Sequence, residues 1–236
     1  MGKDFAGWQI QKNGKSIQEV IQKALSKTLN SKIKIIGSGR TDAGVNALGQ
    51  SANFYHNSRI KNDFKFLSTV NFFLKRYSVS ILSLKERNLK FHARHSAKKR
   101  EYEYLILNRT AKLTIDDNRA WLVKKKLDIK KMKKGLLYLI GTHDFSSFRS
   151  SSCSAKSPVR TISNAKITKR GERIMIKFTS KSFLQTQIRS MIGCLKYVGE
   201  NKWRPNKIKE IILSRSRKKC APLAPALGLY LKKITY

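Results

Sequence analysis

Apolar residues along this chain switch repeatedly between a helical period and a two-residue period, and that alternation limits the fold class to mixed α+β. Ser16-Ile17-Gln18-Glu19 forms a capping box, with Ser at the N-cap and Glu three positions on. Ile17, Val20, Ile21, Ala24 and Leu25 then mark one face of a helix reaching about Leu29. Strands are predicted at Lys32 to Ile36, Gln50 to Tyr55 and Val79 to Leu84, with a second amphipathic helix built on Phe64, Phe66, Leu67, Val70, Phe73 and Leu74. The order α-β-β-α-β results. A second half opens near Phe91, with a strand around Tyr102, Tyr104 and Ile106 whose two faces differ in character. A basic helix is predicted over Ile129 to Ile140, followed by strands at Thr161 to Thr168 and Arg173 to Thr179 that flank a hairpin turn at Lys169-Arg170-Gly171-Glu172. A helix over Leu184 to Val198, a short helix opened by Pro205 and a strand over Leu229 to Ile234 close the chain. Two α+β domains are expected, residues 1–90 and 91–236, each a sheet with helices on one face.

Charge narrows the partners. The chain has 236 residues, with 51 Lys and Arg against 14 Asp and Glu, a formal net charge of +37. Self-repulsion on that scale works against a compact state unless a polyanion relieves it, and nucleic acid is the commonest. Disorder is the competing explanation for such a charge, and it is a weak one, because 40% of the residues are hydrophobic and 9% aromatic. Cys153, Cys194 and Cys220 form no CxxC pair, and His92 and His95 have no Cys or His partner motif, so neither a disulfide framework nor a zinc site is expected. A polar start and the lack of any apolar run of about 20 residues lead to the expectation of a soluble, cytoplasmic protein.

Two segments invite a reading as chemistry. Gly14-Lys15-Ser16 is no phosphate loop, since that pattern requires Gly where Gln9 stands; it is a turn into the capped helix. Gly39-Arg40-Thr41-Asp42-Ala43-Gly44-Val45-Asn46-Ala47-Leu48-Gly49-Gln50, between two predicted strands, is more informative. Its glycines allow close approach of a ligand, and Arg40 and Thr41 flank its one acid. From spacing alone, Asp42 reads either as a turn cap bonding its own backbone or as a held catalytic carboxylate.

The segment Gly39 to Val45 resembles the signature loop of the TruA-type tRNA pseudouridine synthases. The resemblance continues in order through Gly7-Trp8-Gln9-Ile10-Gln11, Ser16-Ile17-Gln18, Phe91-His92-Ala93-Arg94, Tyr102 and Tyr104, and Asp144 to Arg149. It closes with Arg160-Thr161-Ile162, Phe183-Leu184, Ile188 to Gly193 and Ala224 to Leu231, and so covers essentially the whole chain. It implies the pseudouridine synthase fold, two ferredoxin-like halves with mixed antiparallel sheets. It also implies an isomerase that breaks the N–C1′ bond of uridine in tRNA, turns the base and joins C5 to C1′, at positions 38 to 40 of the anticodon stem-loop. No metal or other cofactor is implied, and the family acts as a homodimer on tRNA.

By the same resemblance Asp42 is the catalytic carboxylate, Arg189 the cation that keeps it ionised, and Tyr102 the ring that stacks on uracil. Leu229 is the opposite apolar wall, and Arg40 fills the gap left by the flipped nucleotide. Lys98, Lys99 and Arg100, and the lysines at 124–126, 130, 131, 133 and 134, form a group expected to meet phosphate. A catalytically weak or inactive RNA-binding protein of the same fold is the alternative reading. Three departures stand out. Asn46 replaces the usual His and is expected to weaken local contacts, and Gln185-Thr186-Gln187 stands where some members carry His-His-Met. Members also carry a strand and Tyr-Asp-Gly ahead of Gly-Trp-Gln, whereas six residues precede Gly7 here. The expectation is a start upstream of Met1 and an N-terminal sheet lacking its first strand.

Overall fold

The computed structural model describes residues 1–236 and has an α+β architecture. In chain order the elements are α1 (Ile17–Thr28), β1 (Ile36–Gly37), β2 (Asn46–Ala47), β3 (Ala52–Asn53), α2 (Asp63–Leu74), β4 (Lys99–Leu107) and β5 (Trp121–Leu122). Then follow α3 (Ile129–Leu137), β6 (Gly141–Asp144), β7 (Val159–Arg170), β8 (Arg173–Ser180), α4 (Gln187–Gly199), α5 (Lys207–Ser214) and β9 (Leu229–Thr235).

A seven-stranded mixed sheet organises the C-terminal half, in the order β2-β9-β4-β8-β7-β6 with β5 pairing β4. The β7–β8 hairpin turns at Gly171, whose φ of +54° suits glycine. Alternation along β4 sends Tyr102, Tyr104 and Ile106 into a 30-residue core with Phe178, Ile188, Met191, Ile192 and Leu229. Leu105 and Leu107 face a small cluster on the other side. Helices α3 and α4 contribute Met132, Leu136, Cys194 and Leu195 to the large core, so they cover a single face.

The N-terminal half differs from expectation. Of the strands predicted at 32–36, 50–55 and 79–84, only Ile36–Gly37 and Ala52–Asn53 pair, and 79–84 forms no ladder. Asn46–Ala47 instead joins the C-terminal sheet, parallel to β9. The backbone groups that a ladder would have used find helix side chains. Ile33 N–H donates to Ser26 Oγ at 2.9 Å and Ile35 N–H to Gln22 Oε1 at 3.0 Å, while Ile35 O accepts from Gln18 Nε2 at 3.0 Å. Asn71 brackets Ile81, accepting from its N–H at 2.8 Å and donating to its carbonyl at 2.9 Å. Beneath these contacts α1 and α2 share an 11-residue core with Phe5, Trp8, Ile33 and Ile35. The N-cap bond forms as predicted, with Ser16 Oγ accepting from Glu19 N–H at 3.2 Å.

Candidate active site

The loop between β1 and β2 is fixed from below and from both sides. Trp8 is buried under it, and Gly37 lies so close to the indole that a Cβ there would sit 2.3 Å from Trp8. Thr41 O accepts from Trp8 N–H at 3.2 Å, and a Cβ on Gly7 would sit 2.6 Å from that same oxygen. Asp42 O accepts from Val45 N–H at 3.2 Å, closing a turn through Gly44 at φ +77°. The backbone of Asp42 thus does the turn's work, and its carboxylate is left for another partner.

That partner comes from α4. Arg189 Nη1 donates to Asp42 Oδ2 at 3.2 Å across 147 residues of sequence, and Arg189 Nε donates to Ala224 O at 2.8 Å. The two side chains are 22% and 17% exposed for Asp42 and Arg189 respectively, so the pair is well shielded from solvent.

Arg40, Asp42, Tyr102, Arg189 and Leu229 all border one cleft of about 770 Å³. Tyr102 is buried on β4, opposite Phe178 on β8 and Leu231 on β9. Phe183 meets its ring edge-on, with centroids 5.3 Å apart. Burial pushes the Tyr102 phenol up to about 12, with nearby Asp42 adding to the rise and Arg100 opposing it. It stays neutral throughout the physiological range. Leu229 is buried at the start of β9, in register with Tyr104, whose hydroxyl donates to Pro225 O at 2.8 Å. Arg40 is exposed at the cleft and makes no hydrogen bond or ion pair within the protein.

Arg100 requires a correction. The sequence groups it with Lys98 and Lys99 as a contact to phosphate, yet it is buried and three of its N–H donors are bonded to backbone carbonyls. Its Nη2 donates to Ser38 O at 2.6 Å and to Arg94 O at 2.8 Å, and its Nη1 donates to Lys181 O. Desolvation lowers its pKa. Arg100 therefore ties the base of the Asp42 loop to β4 and to the end of β8. Its parity with Tyr102 on β4 was the available signal: an Arg at an inward position needs internal acceptors. Lys98 and Lys99 are exposed, while Lys131 is engaged with Asn201 at 2.7 Å and lies 3.9 Å from Asp128.

Asn46, standing where the family usually has His, makes two hydrogen bonds to backbone. Its Oδ1 accepts from Gly2 N–H at 2.7 Å and its Nδ2 donates to Leu227 O at 2.8 Å, both at a buried position. Further cleft residues to which sequence reasoning assigned no role are Arg94, Arg160, Phe183, Thr186 and Gln187. No group of three His, Cys, Asp or Glu side chains converges anywhere, and no helix is long and apolar enough to cross a membrane. What the cleft offers is one shielded carboxylate, a cation fixed beside it, a neutral phenol and apolar walls.

A family model described as tRNA pseudouridine synthase matches residues 136–236. The chain is 53% identical over 236 residues to a Pelagibacter ubique protein named tRNA pseudouridine synthase A, spanning all of this chain and 96% of the relative. Relatives of the same name from Parvibaculum lavamentivorans and Ehrlichia canis are 41% and 42% identical, each spanning 100% of this chain and 95% and 96% of their own lengths.

Proposed function

The chain belongs to the tRNA pseudouridine synthase family, and from that membership we propose that it converts uridine to pseudouridine at positions 38 to 40 of the tRNA anticodon stem-loop. It is an isomerase: the N1–C1′ bond breaks, the base rotates, C5 bonds to C1′, and the C5 proton is lost while N1 gains one. The observation that carries the site assignment is the shielded Asp42–Arg189 pair at 3.2 Å in a cleft that also holds Tyr102 and Leu229.

In this reading Asp42 is the catalytic carboxylate, acting at the sugar or at the base as the glycosidic bond opens. Arg189 balances its charge when a flipped base excludes water. The neutral Tyr102 ring stacks on uracil from one side and Leu229 closes the other, so the base can turn without hydrogen-bonding to either wall. Arg40, free of internal partners, stacks in the vacancy left by the extruded nucleotide and offsets part of the few kcal/mol that unstacking costs.

The two domains are residues 1–90, carrying the Asp42 loop, and 91–236, carrying Tyr102, Arg189 and Leu229. The exposed lysines at 98, 99, 124–126, 130, 133 and 134 supply phosphate affinity. The protein works as a cytoplasmic homodimer on tRNA, without metal or other cofactor.

The test is position mapping. Transcripts bearing a single uridine at 38, 39 or 40 are incubated with the protein, and pseudouridine is located in each. Conversion at those sites supports the reading, and conversion confined to uridines outside the stem-loop contradicts it.

A further inference from the structure

Four buried side-chain atoms lack a hydrogen-bond partner: Arg160 Nε, Thr186 Oγ1, Gln187 Nε2 and Glu200 Oε2. Glu200 Oε2 lies 3.3 Å from Lys202 Nζ, so its charge is matched. The other three belong to residues that border a single cleft, the one containing Asp42. An unpaired buried polar group is costly, and three bordering one cleft call for a ligand that relieves them.

Gln187 is the most informative. It is fully buried, and Leu184 N–H donates to its Oε1 at 2.8 Å. That contact fixes the amide's orientation, so the unpaired end is the NH₂ with two donors. Gln187 is also the first residue of α4, a 13-residue helix whose N-cap, Thr186, is left-handed at φ +61° and makes no side-chain cap bond. The N–H groups of Ile188 and Arg189 have no backbone acceptor either. An amide NH₂, a hydroxyl and two backbone N–H groups thus stand at the positive end of a helix dipole, and the unpaired Arg160 Nε borders the same cleft. A uracil carbonyl would engage one or two of these donors. A phosphodiester, with two charged oxygens and several lone pairs, can engage most of the set.

We propose that the first turn of α4 binds a backbone phosphate of the RNA next to the nucleotide that reacts, an inference resting on the reading that tRNA enters this cleft. Arg189 links the two functions: its backbone stands in that turn while its side chain reaches Asp42. A phosphate held there sets the distance between the RNA backbone and the carboxylate. Arg160 Nε, Thr186 Oγ1 and Gln187 Nε2 are closed to solvent in the free protein. The serine-rich segment 149–157 borders the cleft through Cys153, Ser154 and Ala155, and is tied to Gln185 O by Ser150 N–H at 3.1 Å. Binding as proposed requires that segment to move.

Anticodon stem-loop RNAs carrying one neutral methylphosphonate at each phosphate around positions 38 to 40 test this, bound to protein in an Asp42→Asn background that stops turnover. Gln187→Met, of similar volume, removes the amide donors, and Thr186→Val removes the hydroxyl; melting curves verify folding of each. The expected result is one phosphate whose neutralisation weakens binding roughly tenfold, and which gives little further loss once Gln187→Met is present. Independent, additive effects at every phosphate would overturn the proposal. Pseudouridine formation by the parent chain on the unmodified RNA is measured in parallel. If that fails, the reading of the cleft fails; if it succeeds while the effects are additive, only the phosphate site is lost.

Discussion

The two halves of this molecule solve the same problem, satisfying backbone in an α+β layer, by different means. The C-terminal half uses a seven-stranded ladder over a 30-residue core. The N-terminal half has one two-residue strand pair of its own, an 11-residue core, and helix side chains standing in for ladder partners. The candidate catalytic carboxylate belongs to the weaker half, yet much of what holds its loop comes from the stronger one. Arg100 grips Ser38, Arg189 grips Asp42, Asn46 bonds Leu227, and Leu231 O accepts from both Leu48 N–H at 2.9 Å and Gly49 N–H at 3.2 Å. The contrast teaches that site geometry here follows the stability of the half supplying the grips, and not that of the half carrying the loop.

The largest effect that can break this comparison is at Arg100. Arg100→Met leaves three carbonyl oxygens without their donor, and should cost roughly 3 kcal/mol or more by denaturant unfolding. Turnover should fall even where the variant is fully folded, because the loop base is released. Arg100→Lys should recover only part of it, since an ammonium cannot reproduce the fork. Equal activity of folded Arg100→Met and parent would show that the loop does not need the grip.

Asn46→Ala comes next. It removes the bond to Leu227 O and the acceptor for Gly2 N–H, for an expected loss of about 2 kcal/mol. A smaller and more local change should follow Asn71→Ala, which strips both partners from Ile81. It should cost about 1 kcal/mol and speed amide exchange in residues 63–84 while leaving β4, β7 and β8 as protected as before. Exchange rising equally in both halves would mean that they unfold as one unit.

The smallest effect at neutral pH is at Tyr102. Its phenol pKa is raised from 10.0 in the unfolded chain to about 12 in the folded state. The stabilisation linked to that rise is fully present below pH 10 and is lost as pH climbs through 12. Tyr102→Phe should therefore lose melting temperature less steeply than the parent between pH 10 and 12, while the two profiles run parallel from pH 6 to 9.

The C-terminal half was legible in the sequence because its order is carried by period. Tyr102, Tyr104 and Ile106 alternate into the core, and Gly171 marks the hairpin. The N-terminal strands were over-read. Apolar alternation correctly indicated burial at Ile33 and Ile35 and partial burial at Ile81, but the satisfaction of their backbone depends on Gln18, Gln22, Ser26 and Asn71. Such polar residues give no periodic signal. In the site, Asp42 and Arg189 lie 147 residues apart, and no spacing rule joins them. Family resemblance alone linked them. Arg100 was misplaced because a Lys-Lys-Arg run reads as surface, although strand parity placed the Arg inward.

The account stands or falls on Asp42 as the catalytic carboxylate held by the other half. Tritium release from tRNA labelled at C5 of uridine, under single-turnover conditions, compares the parent chain with Asp42→Asn, a variant that keeps the shape and removes the charge. Release by the parent and a fall of roughly 10³-fold or more in the folded, tRNA-binding variant is the predicted result. Release by Asp42→Asn at the parent's rate would contradict it.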